Sequence, residues 1–293
     1  MFIATLIAAD RLARGDISAA SDRLALSGLA PVEWRWIEKD VACDLLFEDM
    51  PALARSALEG IQPGIDVVVQ PEAHRAKRLL VADMDSTMIT IECIDELADY
   101  AGIKAQIAEI TERAMRGELD FEGALDARVL LLRGLEEAVI ERCYEERVVI
   151  MSGAKALVRT MRANGARSVL VSGGFTVFAD RVAREIGFHH AVSNTLHIAD
   201  GLLAGTVARP IVGAAAKRAT LLTEAESLGI ELAQILAIGD GANDIPMIEA
   251  AGLGVAYHAK PKTAAAADAR IDHGDLSALL YAQGYARKDW VTD

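Results

Sequence analysis

The chain has 293 residues, 52% of them hydrophobic and 25% charged, enough to bury a large core and more than one domain without help from disulfides. Its formal charge of -13 at pH 7 excludes a general affinity for nucleic acid or anionic membrane surfaces, both of which are bound chiefly through excess Lys and Arg. No apolar run reaches the ~18 residues that a membrane-spanning helix needs, and the opening MFIATLIAADR lacks the basic start of a signal peptide, so the cytoplasm is the expected compartment.

Residues 1 to about 70 carry the apolar run FIATLIA, a helical pattern in ISAASDRLALSG and alternation across PVEWRWIEKDVACDLLFED. A second helical pattern, MPALARSALEG, precedes the β-branched run IDVVVQ. The order βαββαβ predicts a small ferredoxin-like α+β domain over residues 1–76. Domains of this kind serve as amino-acid sensors or dimerisation modules, so a homodimer joined through it is one expectation. PEAHRAKR, with its proline and charges, reads as a linker.

From Leu79 onward, the apolar runs LLVADMD, SVLVSGG, ILAIGDG and LGVAYHA alternate with longer helical segments. Strands of nearly continuous Val, Ile, Leu and Ala with helices between them predict a Rossmann-like parallel sheet covered on both faces, over residues 77–293. Residues 88–150 read almost entirely as helices and far exceed a simple crossover, which predicts an inserted helical cap. NTLHIADGLLAGTV reads as a hairpin turning at Asp200-Gly201. The cysteines, Cys43, Cys93 and Cys143, are too far apart for a zinc site and are expected to be reduced and half-buried. The six histidines show no metal spacing and read as structural or surface residues.

Polar residues gather where these strands end: Asp83 and Asp85, then Ser172 and Gly173, then Asp240, Asn243 and Asp244, with Lys217 near the start of a helix in between. In such sheets the strand C-termini hold the ligand. Several carboxylates, an amide and one lysine fit an oxygen-lined Mg²⁺ site holding a phosphate. The first aspartate can attack phosphorus, the second can carry a proton, and Ser172 with nearby backbone N–H groups can hold phosphoryl oxygens.

DMDST, VLVSGG, Lys217 and GDGANDIPM, in that order, resemble the four motifs of the haloacid dehalogenase superfamily over residues 77 to 290. The resemblance implies Asp83 as nucleophile, Asp85 as acid and base, Asp83, Asp85 and Asp240 on Mg²⁺, and Asp244 behind them. The acid at position 85 favours a phosphatase, because a departing halide needs no proton. ITIECIDELADYAG and EITERAMRGELDFEGALDARVLLLRGL resemble the cap of the phosphoserine phosphatases. That likeness implies that Glu92 faces the ammonium of O-phospho-L-serine and Arg128 its carboxylate, with Met115 and Phe121 shielding the closed site. It also implies the last step of serine biosynthesis. Taken alone, Glu92 would be a first-turn helix carboxylate, Arg128 a surface cation and the two apolar residues part of a core. Another small phosphorylated amino acid as substrate, or a non-catalytic amino-acid sensor, are the rival readings.

Overall fold

The computed structural model describes residues 1–29, 31–116 and 118–292, and of Met115 only the backbone. The N-terminal part runs β1 (Phe2–Ala8), α1 (Arg14–Leu26), β2 (Glu33–Glu38), β3 (Ala42–Phe47), α2 (Pro51–Leu58) and β4 (Ile65–Pro71). Its antiparallel sheet has the order β2-β3-β1-β4, as expected of a ferredoxin-like fold. Ala4, Leu6 and Ala8 on β1 pack with Leu12, Ile17, Leu24, Ala54 and Leu58 from the two helices.

The other face of this sheet is also covered. Ile7, Ala42 and Val68 join the large core that contains Leu279 and Leu280. This face explains four buried polar residues, Thr5, Asp44, Asp66 and Gln70. Asp44 accepts from Thr5 Oγ1 at 2.8 Å and from Arg75 Nη1 at 2.6 Å, while Arg75 also donates to the Ala282 carbonyl. Asp66 accepts from the backbone N–H groups of Asp272, His273 and Gly274 at 2.7–3.3 Å. The stretch read as a linker is therefore anchored: Arg75 binds Asp44, and the buried Lys77 donates to the Ala233 carbonyl at 3.0 Å.

The second part comprises β5 (Leu79–Ala82), α3 (Cys93–Tyr100), α4 (Lys104–Met115), α5 (Phe121–Leu131), α6 (Ala138–Arg147), α7 (Ala154–Ala163) and β6 (Arg167–Phe175). There follow α8 (Thr176–Ile186), β7 (His190–Asn194), the hairpin β8 (Leu196–Ala199) and β9 (Leu202–Val207), and α9 (Ala214–Leu228). The chain ends with β10 (Ile235–Gly239), α10 (Ile245–Ile248), β11 (Leu253–Tyr257), α11 (Pro261–Ala266), β12 (Ala269–Ile271) and α12 (Ala278–Ala282).

Six of these strands form a parallel sheet in the order β12-β11-β10-β5-β6-β7. Alternate residues feed opposite layers, with Leu79 and Val81 packing against Leu221 of α9 and Leu80 and Ala82 facing the α7–α8 side. The sheet grows to one side from β5 through β6 and to the other through β10, so β5 and β10 flank the point where strand order reverses. In open α/β sheets that point holds the ligand crevice.

Helices α3 to α6 lie between β5 and β6, where the sequence predicts an insert. Helix α3 forms because Cys93, Ile94, Leu97 and Ala98 make one buried stripe. The hairpin turns at Asp200-Gly201 as expected, with φ of 52° and 75°, and joins the cap through Leu203 N to Leu135 O at 2.9 Å. The three cysteines are fully buried rather than half-buried, because each lies on the inner stripe of its element.

Candidate active site

The predicted strand-end residues converge beyond β5, β6 and β10. Asp83 continues the ladder of β5, its N–H donating to the Ile238 carbonyl at 2.9 Å, and its side chain is buried. Lys217 sits one turn into α9 and is wholly enclosed, its Nζ 2.5 Å from Asp83 Oδ1 and 2.6 Å from Asp244 Oδ1. Asp244 Oδ2 in turn accepts from Gly241 N at 3.0 Å. A Cβ at Gly239 would lie 2.4 Å from Asp244 Cγ, so glycine at the end of β10 is what lets this carboxylate lie against the strand.

Thr87 donates to Asp240 Oδ1 at 3.2 Å, and both residues are buried. Asp83, Asp240 and Asp244 each offer one carboxylate oxygen, and these oxygens lie within 4.8 Å of one another. Burial raises the Asp83 carboxyl well above the usual range and Asp244 adds to the effect; burial, Asp244 and Glu92 push Asp240 up to about 6. Burial opposes the charge on Lys217, but Asp244 and Asp83 outweigh it and hold the ammonium protonated. Three buried carboxylates against one lysine leave negative charge uncompensated, and an all-oxygen donor set of this kind fits a hard divalent cation.

Asp85 has different neighbours. Its Oδ1 accepts from Cys93 N at 3.3 Å, and burial followed by repulsion from Glu92 pushes its carboxyl up to about 7. Glu92 occupies the residue before α3 but caps nothing; Ser86, in the left-handed region at φ 55°, donates to its Oε1 at 2.9 Å. Arg128 is half-buried on α5 with its Nε on the Ala124 carbonyl. Burial lowers its pKa against the pull of Asp95, Glu92 and Asp85, three carboxylates within electrostatic reach of the guanidinium.

Ser172 and Gly173 are formally part of β6, where the sequence predicts a loop after the strand. Pairing with β7 is nevertheless irregular between Val171 and Phe175, which frees this segment to act as a loop. Ser172 Oγ accepts from Gly174 N at 2.8 Å, and a Cβ at Gly174 would lie 2.9 Å from Asp85 Oδ2. The Phe121 ring lies over Gly173 and Gly213. Asn243 is half-buried and folds its amide oxygen over Gly241. The side chain of Met115 lies outside the described residues. Sequence reasoning gave no role to Ser86 and Thr87, although both stand in DMDST. It also missed Asn194, a polar strand-end residue like the others, because its strand, HAVSN, is polar and partly exposed and does not read as an apolar run.

Residues 80–249 match the model of the haloacid dehalogenase-like hydrolases. A phosphoserine phosphatase from Streptomyces coelicolor is 43% identical over 83% of this chain, which spans only 59% of that protein. One from Polaromonas is 46% identical over 75% of this chain and 96% of its own length. The crystal structure of a probable phosphoserine phosphatase from Vibrio cholerae, 34% identical, superposes over 98% of this chain and 88% of its own with a TM-score of 0.75. With the Asp83–Lys217 pair at the sheet's switch point and a sequence match over more than half its length, the chain belongs to the haloacid dehalogenase-like hydrolases.

Proposed function

We propose that the protein is a Mg²⁺-dependent phosphomonoesterase that hydrolyses O-phospho-L-serine to L-serine and phosphate, as in the last step of serine biosynthesis. The observation that carries the reading is the buried Asp83–Lys217–Asp244 chain of ion pairs, with the separately placed Asp85 and Glu92 within electrostatic reach of Arg128. A zwitterionic amino acid offers one ammonium and one planar carboxylate, for which a carboxylate and a forked guanidinium are a minimal reader. The relatives named as phosphoserine phosphatases, and a substrate-bound phosphoserine phosphatase structure 36% identical over 70% of this chain, support the same substrate.

In this reading an Asp83 carboxylate oxygen attacks phosphorus and the phosphorus–oxygen ester bond breaks. The electron pair goes to the seryl oxygen, which takes the proton of Asp85. Asp85 then accepts a proton from water as that water attacks the aspartyl-phosphate, which releases phosphate and restores Asp83. Lys217 orients Asp83 and balances its charge, while Ser172, the Gly173 segment and Asn243 hold the phosphoryl oxygens. Asp83, Asp240 and the backbone carbonyl of Asp85 would hold Mg²⁺, with Asp244 behind them fixing Lys217. When bound, the cation supplies neutralisation of the carboxylates and polarisation of the phosphoryl group. Phe121 closes the site against water over Gly173 and Gly213.

The reading extends to a cytoplasmic enzyme with a ferredoxin-like domain over residues 1–76, a catalytic unit over 77–293 and a cap over 88–150. It also includes a homodimer through the N-terminal domain, which light scattering on the eluted protein tests. The described residues include no helix long and apolar enough to cross a membrane. The functional test is phosphate release from L-phosphoserine, phosphothreonine, phosphoethanolamine and a sugar phosphate, with Mg²⁺ and with chelator, beside Asp83→Asn. Mg²⁺-dependent preference for L-phosphoserine that vanishes in the variant is the expected result. Equal turnover of all four overturns the roles of Glu92 and Arg128; turnover by the variant overturns the nucleophile.

A further inference from the structure

The strand β7 lies at the sheet edge and contributes no group to the chemistry above, yet its last residue, Asn194, is 2% exposed and fully engaged. Its Nδ2 donates to the Gly173 carbonyl at 2.9 Å and to the Val212 carbonyl at 3.2 Å, and its Oδ1 accepts from Val212 N at 2.8 Å. The backbone of Asn194 pairs with Phe175, where the β6–β7 register resumes after its break. Its side chain thus spans the break and ties the Ser172–Gly173 segment to the loop that leads into α9.

Both tied segments carry a glycine against the Phe121 ring. A Cβ at Gly173 would lie 3.0 Å from Phe121 Cζ, and one at Gly213 would lie 2.9 Å from Cδ1. Gly213 has φ −120° and ψ −162°, extended backbone that any residue adopts, so the ring and not the backbone demands glycine there. Gly213 also accepts the N–H of Lys217 at 2.9 Å, which makes it the first support of the helix turn that aims the lysine.

We propose that Asn194 is a positioning residue: it sets the separation between the Ser172–Gly173 segment and the start of the Lys217 helix, and thereby frames the slot into which Phe121 closes. This rests on the phosphomonoesterase reading of the same site. A carboxamide suits the task because it offers two donors and an acceptor in one plane, all of which are used here. Shifts well below an ångström in either segment displace the phosphoryl cradle relative to Lys217, and misplacement by about 1 Å can cost ~10²-fold in rate.

The test uses the full chain with Mg²⁺ and compares wild type, Asn194→Ala, Asn194→Asp and Gly213→Ala. Each is measured for kcat and KM with L-phosphoserine, for thermal midpoint, and for amide exchange in residues 170–176 and 210–217. Both Asn194 variants should lose about 30-fold or more in kcat/KM, mostly through kcat, and exchange should quicken in both segments together. The aspartate keeps the acceptor for Val212 N but sets a carboxylate against two carbonyls, so it should rescue nothing. Gly213→Ala, which leaves the clamp intact, should lower kcat/KM about tenfold by unseating Phe121. Asn194→Asp, isosteric with the wild type, keeps the question decidable if Asn194→Ala does not fold. Kinetics within about twofold of wild type alongside a lowered midpoint, or faster exchange in one segment alone, would overturn the proposal. If wild type turns over no L-phosphoserine, the functional reading fails, while the exchange data still judge the clamp.

Discussion

Arg128→Ala offers the sharpest examination of substrate choice. The Arg128 Nε is occupied by the Ala124 carbonyl, which leaves the two terminal nitrogens free to meet a planar carboxylate as a fork. A hydrogen bond to a charged group contributes about 1.5–3 kcal/mol. Two such bonds that share one guanidinium and are not fully additive are worth about 3–4 kcal/mol, or roughly 10²–10³-fold in kcat/KM. Phosphoethanolamine keeps the phosphate and the ammonium but has no carboxylate, so its turnover should change little. The ratio of kcat/KM for L-phosphoserine over phosphoethanolamine should therefore collapse in the variant. Arg128→Lys, which keeps a charge without the planar fork, should fall between the two. The assay is phosphate release over a range of each substrate at fixed Mg²⁺. An equal fall for both substrates would mean that Arg128 supports the cap and reads no carboxylate, and the reasoning above would be refuted.

Chelation should abolish turnover and lower the thermal midpoint, since a cation bound only by the folded carboxylates stabilises by mass action; an unchanged midpoint across a Mg²⁺ titration would contradict the acidic cluster as its site. Asp44→Ala should destabilise by about 3–5 kcal/mol in a denaturant titration, because it strands Arg75 against the Ala282 carbonyl and leaves Thr5 unpaired; a loss below 1 kcal/mol would show that the sheet face is held by apolar contact alone. Lys77 gives a pH signature. Burial lowers its ammonium to about 8, so between pH 8 and 10 the unfolded chain holds a proton that the folded chain has released, and stability attributable to this residue rises with pH by up to about 3 kcal/mol. The difference between wild type and Lys77→Met should shift in favour of wild type over that window; a flat difference would refute the assignment.

Much of this was legible in the sequence because strand ends and motifs coincide. LLVADMD, SVLVSGG and ILAIGDG are buried on both faces and read as continuous apolar runs, so the polar residues that stop them stand out. The edge strands were harder. β12 has three residues, ARI, and β7 reads HAVSN with partial exposure, too short and too mixed for any periodicity. The second face of the N-terminal sheet was hidden for another reason. Its polar members, Thr5, Asp44, Asp66 and Gln70, look like the solvated side of an alternating strand, and partners more than 30 positions away make them interior. Asn194 was invisible on both counts, lying on a short strand and bonded to residues 18 and 21 positions away.

Why the chain tolerates Asp83 and Asp85 so close together follows from their surroundings. Just past the end of β5, Met84 enters the core while both aspartates lie at the strand-end crevice. Beyond that shared position they diverge. Asp83 meets the ammonium of Lys217 at 2.5 Å and faces the cluster with Asp240 and Asp244, where burial and Asp244 disfavour its charge and a divalent cation would offset them. Asp85 accepts a backbone N–H at 3.3 Å and is repelled by Glu92, and burial with that repulsion disfavours its charge, so its proton is easily kept or returned. Two identical side chains two residues apart, both shifted upward by burial, thus acquire different partners from the elements that reach them, an ammonium from α9 for the first and a backbone N–H at the start of α3 for the second. On the proposed reading a nucleophile and a proton carrier need that separation, and a strand end flanked by helices from two different layers supplies it.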